Sequence, residues 1–262
     1  MTSRSPHDVY PAGDEAPAGV RVQVDGPIAT VTLDRPAVLN AQTPRTWAAL
    51  RDIGSALSAG IRIVVLRGEG RAFSAGLDLA RARENLGALA AVPSEAAEDR
   101  IAEFQQGFNW LRRNDIISIA AVRGHAIGAG FQLALACDLR VVAEDAKFAM
   151  KEVTLGLVPD LTGTKRLMDL VGYARALELC ATGRTVEADE AVRIGLATVC
   201  VPVDELEQAT ADLAAALVSA DRDALIEIKA LLAGAGARTA AEQELAERQA
   251  QVRRIRAMAG LE

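Results

Sequence analysis

The order of hydrophobic and polar positions predicts a chain that begins with strands. Residues 20–26 and 28–36 alternate apolar and polar side chains, as two strands of a hairpin do, with a turn at Asp25, Gly26 and Pro27. Two nearly continuous apolar runs follow, at 61–68 and 117–123. Runs of this kind are typical of strands that are buried on both faces, as in a parallel sheet.

Helical spacing dominates the rest of the chain. Thr43 followed by Pro44 predicts an N-cap and a first helical residue, with the helix ending near Ser58. Residues 100–114 have one apolar stripe and predict an amphipathic helix, whereas 83–99 show no strong pattern and predict a mobile loop or an irregular helix. The remaining predicted elements are a strand at 138–145, an extended segment from 147 that becomes a helix near 162, a helix at 174–183, a helix, turn and strand within 186–202, and C-terminal helices at 203–220, 222–234 and 238–259.

This order of elements indicates an α/β fold with a βαβ-type core and a helical C-terminal region. Residues 1–18 are rich in Pro, Ala, Asp and Ser and are expected to form a disordered N-terminal tail. The core is expected to span 19–202, and the C-terminal helical region 203–262.

Composition excludes several classes of function. The chain has 262 residues, 50% of them hydrophobic, which is enough for one large core, while a net charge of −6 and 3% aromatic residues argue against nucleic-acid binding. Cys137, Cys180 and Cys200 are odd in number and widely spaced, as free thiols in a reducing cytoplasm are. His7 and His125 lie far apart, so no metal site is expected. Neither a secretory signal nor a membrane-spanning segment is apparent, and we expect a cytoplasmic protein.

Two glycine-containing turns carry the candidate chemistry. FSAGLDL (73–79) and GHAIGAG (124–130) each follow a predicted strand and precede a helix. The first N–H groups of a helix have no partner within the helix, so such turns can hold an anion or a developing oxyanion. The alternative is that these glycines serve only to pack a tight connection, and the sequence does not show whether the two turns meet.

Four ordered motifs carry a family resemblance: RPAVLNA (35–41), RAFSAGLDL (71–79), AVRGHAIGAGFQLALACDLRVVAEDAKF (121–148) and LGLVPDLTGTKRL (155–167). Together they resemble the enoyl-CoA hydratase/isomerase (crotonase) family over about residues 20–202. The resemblance implies a spiral of ββα units whose C-terminal helices trimerise, giving a homotrimer or a dimer of trimers. It also implies an acyl-CoA thioester substrate and no metal or redox cofactor, with coenzyme A present only as part of the substrate.

The resemblance assigns roles to the two turns. It implies that the backbone N–H groups of Ala75 and Ala129 form an oxyanion hole, although many family members have glycine at the position of Ala129. Asp78 has an alternative role as a helix N-cap. The residues implied to contact the substrate or coenzyme A are Ala37, Leu39, Ser74, Gly76, Leu77, Asp78, Leu79 and Gly128.

The implied catalytic residues are Glu152, Asp160 and Gln132. Hydratases of the family use two glutamates, and this chain matches the second with Glu152 but has Gln132 at the first position. An amide cannot exchange a proton at neutral pH, so Gln132 argues against ordinary hydration. Asp160 matches an acid of dienoyl-CoA and ring-epoxide acyl-CoA isomerases. The alternatives are a surface ion pair of Glu152 with Lys151 and a turn or N-cap role for Asp160.

Three functions follow from these residues. The leading hypothesis is an enoyl-CoA isomerase, Δ3–Δ2 or dienoyl, in which Glu152 transfers a proton while the oxyanion hole stabilises an enolate. The second is an enoyl-CoA hydratase in which Gln132 replaces one glutamate and positions a water. The third is a catalytically impaired protein that binds acyl-CoA without turnover.

Overall fold

The computed structural model describes residues 18–261, with only the backbone of residues 83–85. The disordered tail expected at 1–18 therefore lies, apart from Ala18, outside the described residues. The strands are β1 (Val20–Asp25), β2 (Ile28–Leu33), β3 (Ile63–Gly68), β4 (Ile117–Val122), β5 (His125–Ile127), β6 (Leu139–Ala143), β7 (Lys147–Ala149), β8 (Val186–Glu187) and β9 (Val199–Val201).

Six of these strands form one large sheet in the order β1-β2-β3-β4-β6-β9. The first two strands pair antiparallel, with Asp25 opposite Ile28, which confirms the predicted hairpin. The other neighbours are parallel, so the carboxyl ends of β3 and β4 lie at the same edge. The two glycine-containing turns leave the sheet from that edge.

The helices are α1 (Pro44–Ala56), α2 (Leu79–Ala90), α3 (Ser94–Asn109), α4 (Ala129–Ala136), α5 (Gly163–Val171), α6 (Tyr173–Thr182), α7 (Ala188–Arg193), α8 (Leu206–Ser219), α9 (Arg222–Ala235) and α10 (Ala240–Met258). The predicted cap of α1 is confirmed, because Thr43 and Thr46 form a reciprocal capping box and Pro44 is the first helical residue. Among the helices of residues 18–261, none is long and apolar enough to cross a membrane.

Residues 83–99 differ from the prediction of a mobile loop or an irregular helix. Helix α2 runs through Ala90, and α3 already begins at Ser94, with Pro93 at its N-cap position. Alanine and glutamate are strong helix formers even where no apolar stripe is present, and the proline separates the two helices. Composition therefore outweighs the weak periodicity in this segment.

The sequence pattern also missed a second, three-stranded sheet of β5, β7 and β8. Its strands have two or three residues each, too few for an alternating pattern to be recognised. Strand β5 lies inside the glycine-rich turn at 124–130. That turn therefore holds paired backbone rather than an irregular loop.

The large sheet is covered on both faces. One face packs a core that includes Trp47 of α1, Phe108 of α3 and Phe131 of α4. The opposite face packs against α8, with Leu206 and Ala214 over the middle strands. The packing of both faces leaves the carboxyl edge of β3 and β4 at the junction between the sheet and α4. Elsewhere in the fold, the three cysteines are free thiols.

A buried ion pair fastens the C-terminal helices to this core. The Lys229 ammonium of α9 donates to the Asp138 carboxylate at 2.7 Å and to the Ile116 carbonyl at 2.8 Å. Asp138 also accepts hydrogen bonds from the backbone N–H and the hydroxyl of Ser118. The side chains of Lys229 and Asp138 are only 9% and 18% exposed, so this pair is shielded from water.

Lys229→Met is expected to lower the free energy of unfolding by roughly 3 kcal/mol, because removing one member of a buried pair leaves the other charge uncompensated. The measurement is urea denaturation at fixed protein concentration. The matched control is Arg193→Met, which breaks a pair whose side chains are 65% and 73% exposed. That change is expected to cost less than about 0.5 kcal/mol. Equal, small effects of the two variants would contradict the role given to Lys229.

Candidate active site

The two glycine-containing turns lie side by side. The Ser74 N–H donates to the His125 carbonyl at 2.7 Å, and the Ile127 N–H donates to the Ser74 carbonyl at 3.0 Å. These bonds form a parallel bridge between Ser74 and Ala126. The first turn is thereby held against β5 and against the start of α4.

Glycine is required where these turns touch. A Cβ at Gly76 would lie 2.3 Å from the Ile127 carbonyl oxygen, and Gly76 also has a φ of +88°. A Cβ at Gly130 would lie 2.6 Å from the Ser74 carbonyl oxygen. Both distances are far below van der Waals contact, so a side chain at either position would separate the two turns.

The role expected for Ala75 needs a correction. Its backbone N–H donates to the Leu39 carbonyl at 2.8 Å, inside the protein. A donor that is engaged in this way is not free to hold a substrate oxygen. Leu39, which is expected to line the ligand, supplies with its backbone carbonyl the acceptor that orients Ala75.

The Leu77 N–H is the free donor of this turn. Leu77 forms a parallel bridge with Gln42, in which the Gln42 N–H bonds the Gly76 carbonyl and the Asp78 N–H bonds the Gln42 carbonyl. In such a bridge the N–H of the central residue points away from its partner strand. Across residues 18–261, the Leu77 N–H has no hydrogen-bond acceptor within the protein.

Ala129 supplies a second free donor. It is the first residue of α4, so its N–H lies at the positive end of the helix and has no partner within the helix. A Cβ at Gly76 would be 3.5 Å from the Ala129 nitrogen, which places the segment that leads into Leu77 next to this donor. The pair of free N–H groups is therefore Leu77 and Ala129.

Gln132 is completely buried, and its amide has a defined orientation. Its Oε1 accepts hydrogen bonds from the backbone N–H groups of Leu161 and Gly163, at 2.9 and 3.2 Å. Backbone N–H groups only donate, so the amide oxygen must face them and the NH2 group must face the other way. That NH2 group donates to Glu152 Oε1 at 2.7 Å.

Glu152 faces this amide and does not form the alternative ion pair with Lys151. Burial raises the pKa of the Glu152 carboxyl above its ordinary value of 4.5; the hydrogen bond from Gln132 opposes that rise, and the charge of Asp160 adds to it. Glu152 Oε2 is buried and has no hydrogen-bond partner within the described part of the chain. One carboxylate oxygen is thus positioned by Gln132 while the other is unpaired.

Asp160 lies on the same loop that Gln132 holds. Its backbone carbonyl accepts a hydrogen bond from Gln105 of α3 at 2.7 Å, and burial raises the pKa of its carboxyl. Helix α5 begins at Gly163 with Thr162 at the N-cap, so Asp160 is not the N-cap of this helix. Gln132 connects the two acids, because its NH2 group donates to Glu152 and its oxygen accepts from the N–H of Leu161, the residue after Asp160.

The other predicted contact residues surround the turn in different ways. Asp78 occupies the N-cap position of α2 but makes no capping hydrogen bond, and its carboxylate instead pairs with Arg35 at 2.9 Å. Leu79 is exposed, as is Ala37 in a short 3-10 turn. Gly128 lies next to the Glu152 carboxylate, since a Cβ at Gly128 would be 3.3 Å from Glu152 Oε1. The buried hydroxyl of Ser74 donates to the Asn40 carbonyl at 2.8 Å.

Three polar residues that support the site were not predicted from the sequence. Asn40 donates to the carbonyls of Glu69 and Ala72 and so fixes the loop at 35–41. Gln42 bridges to Leu77, and Gln105 holds Asp160. Burial of a polar loop residue, as of Asn40 and Gln42, indicates a supporting role of this kind. The sequence pattern of a loop does not show which of its residues are buried.

The family assignment follows from direct comparison. The sequence model of the family described as "Enoyl-CoA hydratase/isomerase" matches residues 23–258. A probable enoyl-CoA hydratase from Rhizobium meliloti (strain 1021) is 35% identical over 190 residues, 71% of this chain and 69% of that protein. A crotonyl-CoA hydratase from Syntrophomonas wolfei is 35% identical over 182 residues, 68% of this chain and 67% of that protein. The chain belongs to the enoyl-CoA hydratase/isomerase family, which is a family of enzymes.

Solved structures agree with this assignment. A protein assigned as an enoyl-CoA hydratase from Thermobifida fusca YX, in complex with acetoacetyl-CoA, is 48% identical with a TM-score of 0.87, covering 91% of this chain and 95% of that one. A protein assigned as an enoyl-CoA hydratase from Streptomyces coelicolor A3(2) is 34% identical with a TM-score of 0.83, covering 92% of this chain and 89% of that one. The expected crotonase fold is confirmed.

Glu152→Gln is expected to stabilise the protein at alkaline pH. Because burial raises the folded-state pKa of Glu152, the folded protein binds this proton more tightly than the unfolded chain. That linkage stabilises the fold below the unfolded-state pKa and is lost as the pH rises through the folded-state pKa. The amide has no charge to desolvate, so we expect Tm at pH 8 to rise by about 3 °C, roughly 1 kcal/mol.

The control for this prediction is Glu98→Gln, on an exposed part of α3. It should leave Tm unchanged at both pH 4 and pH 8, and the gain from Glu152→Gln should be absent at pH 4. A lower Tm for Glu152→Gln at pH 8 would show that the charged carboxylate stabilises the fold and would contradict the prediction.

Proposed function

We propose that the protein acts on acyl-CoA thioesters and isomerises an enoyl-CoA by proton transfer. The observation that carries the proposal is the orientation of Gln132, whose NH2 group donates to Glu152 while its oxygen is held by two backbone N–H groups. With an amide at this position, Glu152 is the proton-transferring group next to the two free N–H donors. A single acid suits a reaction in which the proton that is removed is also returned.

The reaction proceeds by the loss and gain of one proton. Glu152 removes a proton from Cα of a 3-enoyl thioester, and the electron pair delocalises onto the thioester oxygen. The N–H groups of Leu77 and Ala129 hold that oxygen as a dienolate. The protonated Glu152 then returns the proton to Cγ, which leaves the double bond between Cα and Cβ and regenerates the carboxylate.

The raised pKa of Glu152 supports this cycle. A carboxyl whose pKa lies nearer to neutrality holds its proton more readily between the two transfer steps. Asp160 is the proposed second acid of the site, and with a dienoyl substrate it would exchange the proton at the far carbon. Coenzyme A enters only as part of the substrate, and no further cofactor is proposed.

A second candidate is hydration of a 2-enoyl-CoA. It is favoured by the relatives, which are named enoyl-CoA and crotonyl-CoA hydratases. In that reaction Glu152 would activate a water that Gln132 helps to orient. The third candidate is an acyl-CoA-binding protein without turnover, and the retention of Glu152 next to two free N–H donors argues against it.

We further propose a homotrimer or a dimer of trimers. Several large apolar side chains on α9 and α10 are exposed in the single chain, among them Leu232 and Met258. Apolar surface of this kind is more typical of a subunit interface than of a monomer. Sedimentation velocity would distinguish these states from a monomer.

The reaction is tested with 2-enoyl-, 3-enoyl- and 2,5-dienoyl-CoA in H2¹⁸O, with products identified by mass and ultraviolet absorbance. Isomerisation moves the double bond without a change in mass, whereas hydration adds one labelled water. We expect isomerisation of 3-enoyl-CoA, and a fall in kcat of at least about 100-fold in Glu152→Gln. Water addition to 2-enoyl-CoA that is lost in Glu152→Gln would favour the hydratase instead. Binding without turnover of any substrate would favour the third candidate.

Gln132→Glu is expected to shift the acid limb of the pH profile of kcat/KM to higher pH. The new carboxylate would lie 2.7 Å from Glu152 Oε1, replacing the amide NH2 that now favours the ionised form. Two carboxyl groups at this distance share a proton, so the base form of Glu152 appears only at higher pH. Gln23→Glu, on the exposed side of β1, makes the same charge change and should leave the profile in place. An unchanged profile in Gln132→Glu would contradict the role assigned to Glu152.

A further inference from the structure

A chain of buried hydrogen bonds leads from Trp47 to the turn at 73–79. Gln42 and Ser74 are both fully buried. The Trp47 indole Nε1–H donates to Gln42 Oε1 at 2.8 Å, and Gln42 Nε2 donates to Ser74 Oγ at 3.0 Å. The Gly76 N–H donates to the same hydroxyl oxygen at 3.1 Å.

The direction of every bond in this chain is determined by its first donor. An indole N–H can only donate, so the Gln42 oxygen must face Trp47 and its NH2 group must face Ser74. Ser74 Oγ therefore accepts, and its own proton goes to the Asn40 carbonyl at 2.8 Å. Its remaining acceptor site takes the Gly76 N–H, so this hydroxyl makes all the hydrogen bonds available to it.

The same glutamine also pairs through its backbone with the two residues that flank Leu77. Its N–H bonds the Gly76 carbonyl at 2.6 Å, and its carbonyl accepts from the Asp78 N–H at 2.8 Å. Gln42 thus holds the turn through its side chain at Ser74 and through its backbone at Gly76 and Asp78. The Leu77 N–H is left facing the opposite side.

We propose that Gln42 is a positioning residue that, together with Trp47 and Ser74, orients the Leu77 N–H toward the thioester oxygen. This inference rests on the proposed function, in which that N–H is half of the oxyanion hole. Ser74 also contacts Gly130, the neighbour of the second donor Ala129, because a Cβ at Gly130 would lie 2.8 Å from Ser74 Cβ. The chain of bonds therefore determines the position of one donor relative to the other.

The test compares two variants with a matched control. Gln42→Leu removes both side-chain bonds, and Trp47→Phe removes only the indole N–H that determines their direction. Trp110→Phe is the control, because Trp110 is also buried and its Nε1–H donates to the Gly107 backbone carbonyl at 3.0 Å, so this variant removes an indole N–H that is not part of the chain to Ser74.

Two readouts separate positioning from folding. The first is kcat and KM for the substrate that the wild type turns over. The second is the enolate fraction of bound acetoacetyl-CoA, measured by ultraviolet absorbance. In the enolate, Glu152 has taken the Cα proton and the charge lies on the oxygens. Removal of an oxyanion donor costs about 100- to 1,000-fold in kcat, so its misdirection in Gln42→Leu should cost about ten-fold.

We expect the enolate-to-keto ratio to fall in Gln42→Leu by a similar factor, with KM and the Kd for free coenzyme A within about two-fold of wild type. Trp47→Phe should show a smaller fall of the same kind, and Trp110→Phe none. If Gln42→Leu does not fold, the comparison of Trp47→Phe with Trp110→Phe in kcat and enolate fraction tests the inference.

Three outcomes would overturn the inference: unchanged kcat and enolate fraction in Gln42→Leu and Trp47→Phe, an equal fall in Trp110→Phe, or a loss of coenzyme A affinity that parallels the loss of kcat. If the wild type neither turns over an enoyl-CoA nor shifts acetoacetyl-CoA toward its enolate, the proposed function itself fails, and this inference fails with it.

Discussion

The close contact between two glycine-containing turns is the constraint on which the site depends. The bridge between Ser74 and Ala126 exists only because Gly76 and Gly130 present no side chain at the contact, where a Cβ would be 2.3 Å and 2.6 Å from backbone oxygens. The Ala75 N–H of the first turn is bonded within the protein, so the pair of free donors combines Leu77 of the first turn with Ala129 of the second. The parallel strands bring both turns to one edge of the sheet, and the missing side chains allow them to join there.

Residues at the same edge of the sheet also determine the surroundings of the Glu152 carboxyl. Gln132 follows the start of α4 by three residues, so its side chain lies beside the free N–H of Ala129, and its amide connects the 161–163 backbone to Glu152. A glutamate at this position would bring a second titratable group, whereas the amide brings a fixed dipole. Compared with a glutamate, Gln132 therefore offers a positioned hydrogen bond in place of a group that could exchange a proton, while burial keeps the pKa of Glu152 raised.

The sequence predicted the parts of this site that depend on local pattern. The strand, turn and helix order at 73–79 and 124–130 was recognisable because turn glycines and apolar runs act over a few residues, whereas Glu152 and Gln132 were assigned only through the family resemblance. The donor in the first turn was misassigned to Ala75 because the choice depends on Leu39 and Gln42, more than 30 residues away in the chain. Strand β5 and the continuation of helix α2 through residues 83–90 were missed for the opposite reason, since their own residues carry too weak a pattern.

Helix α3, part of the segment that the sequence described least well, touches both halves of the site. Phe104 contacts the Trp47 ring with centroids 4.9 Å apart, at the head of the hydrogen-bond chain that reaches Gly76. The adjacent Gln105 donates to the Asp160 carbonyl, on the loop that also contacts Gln132. A shift of α3 would therefore act on the donor turn through Trp47 and on the acid loop through Asp160 at the same time. In the proposed isomerisation these two parts of the site hold and protonate the same dienolate, and a shared support would keep their separation constant better than two independent ones.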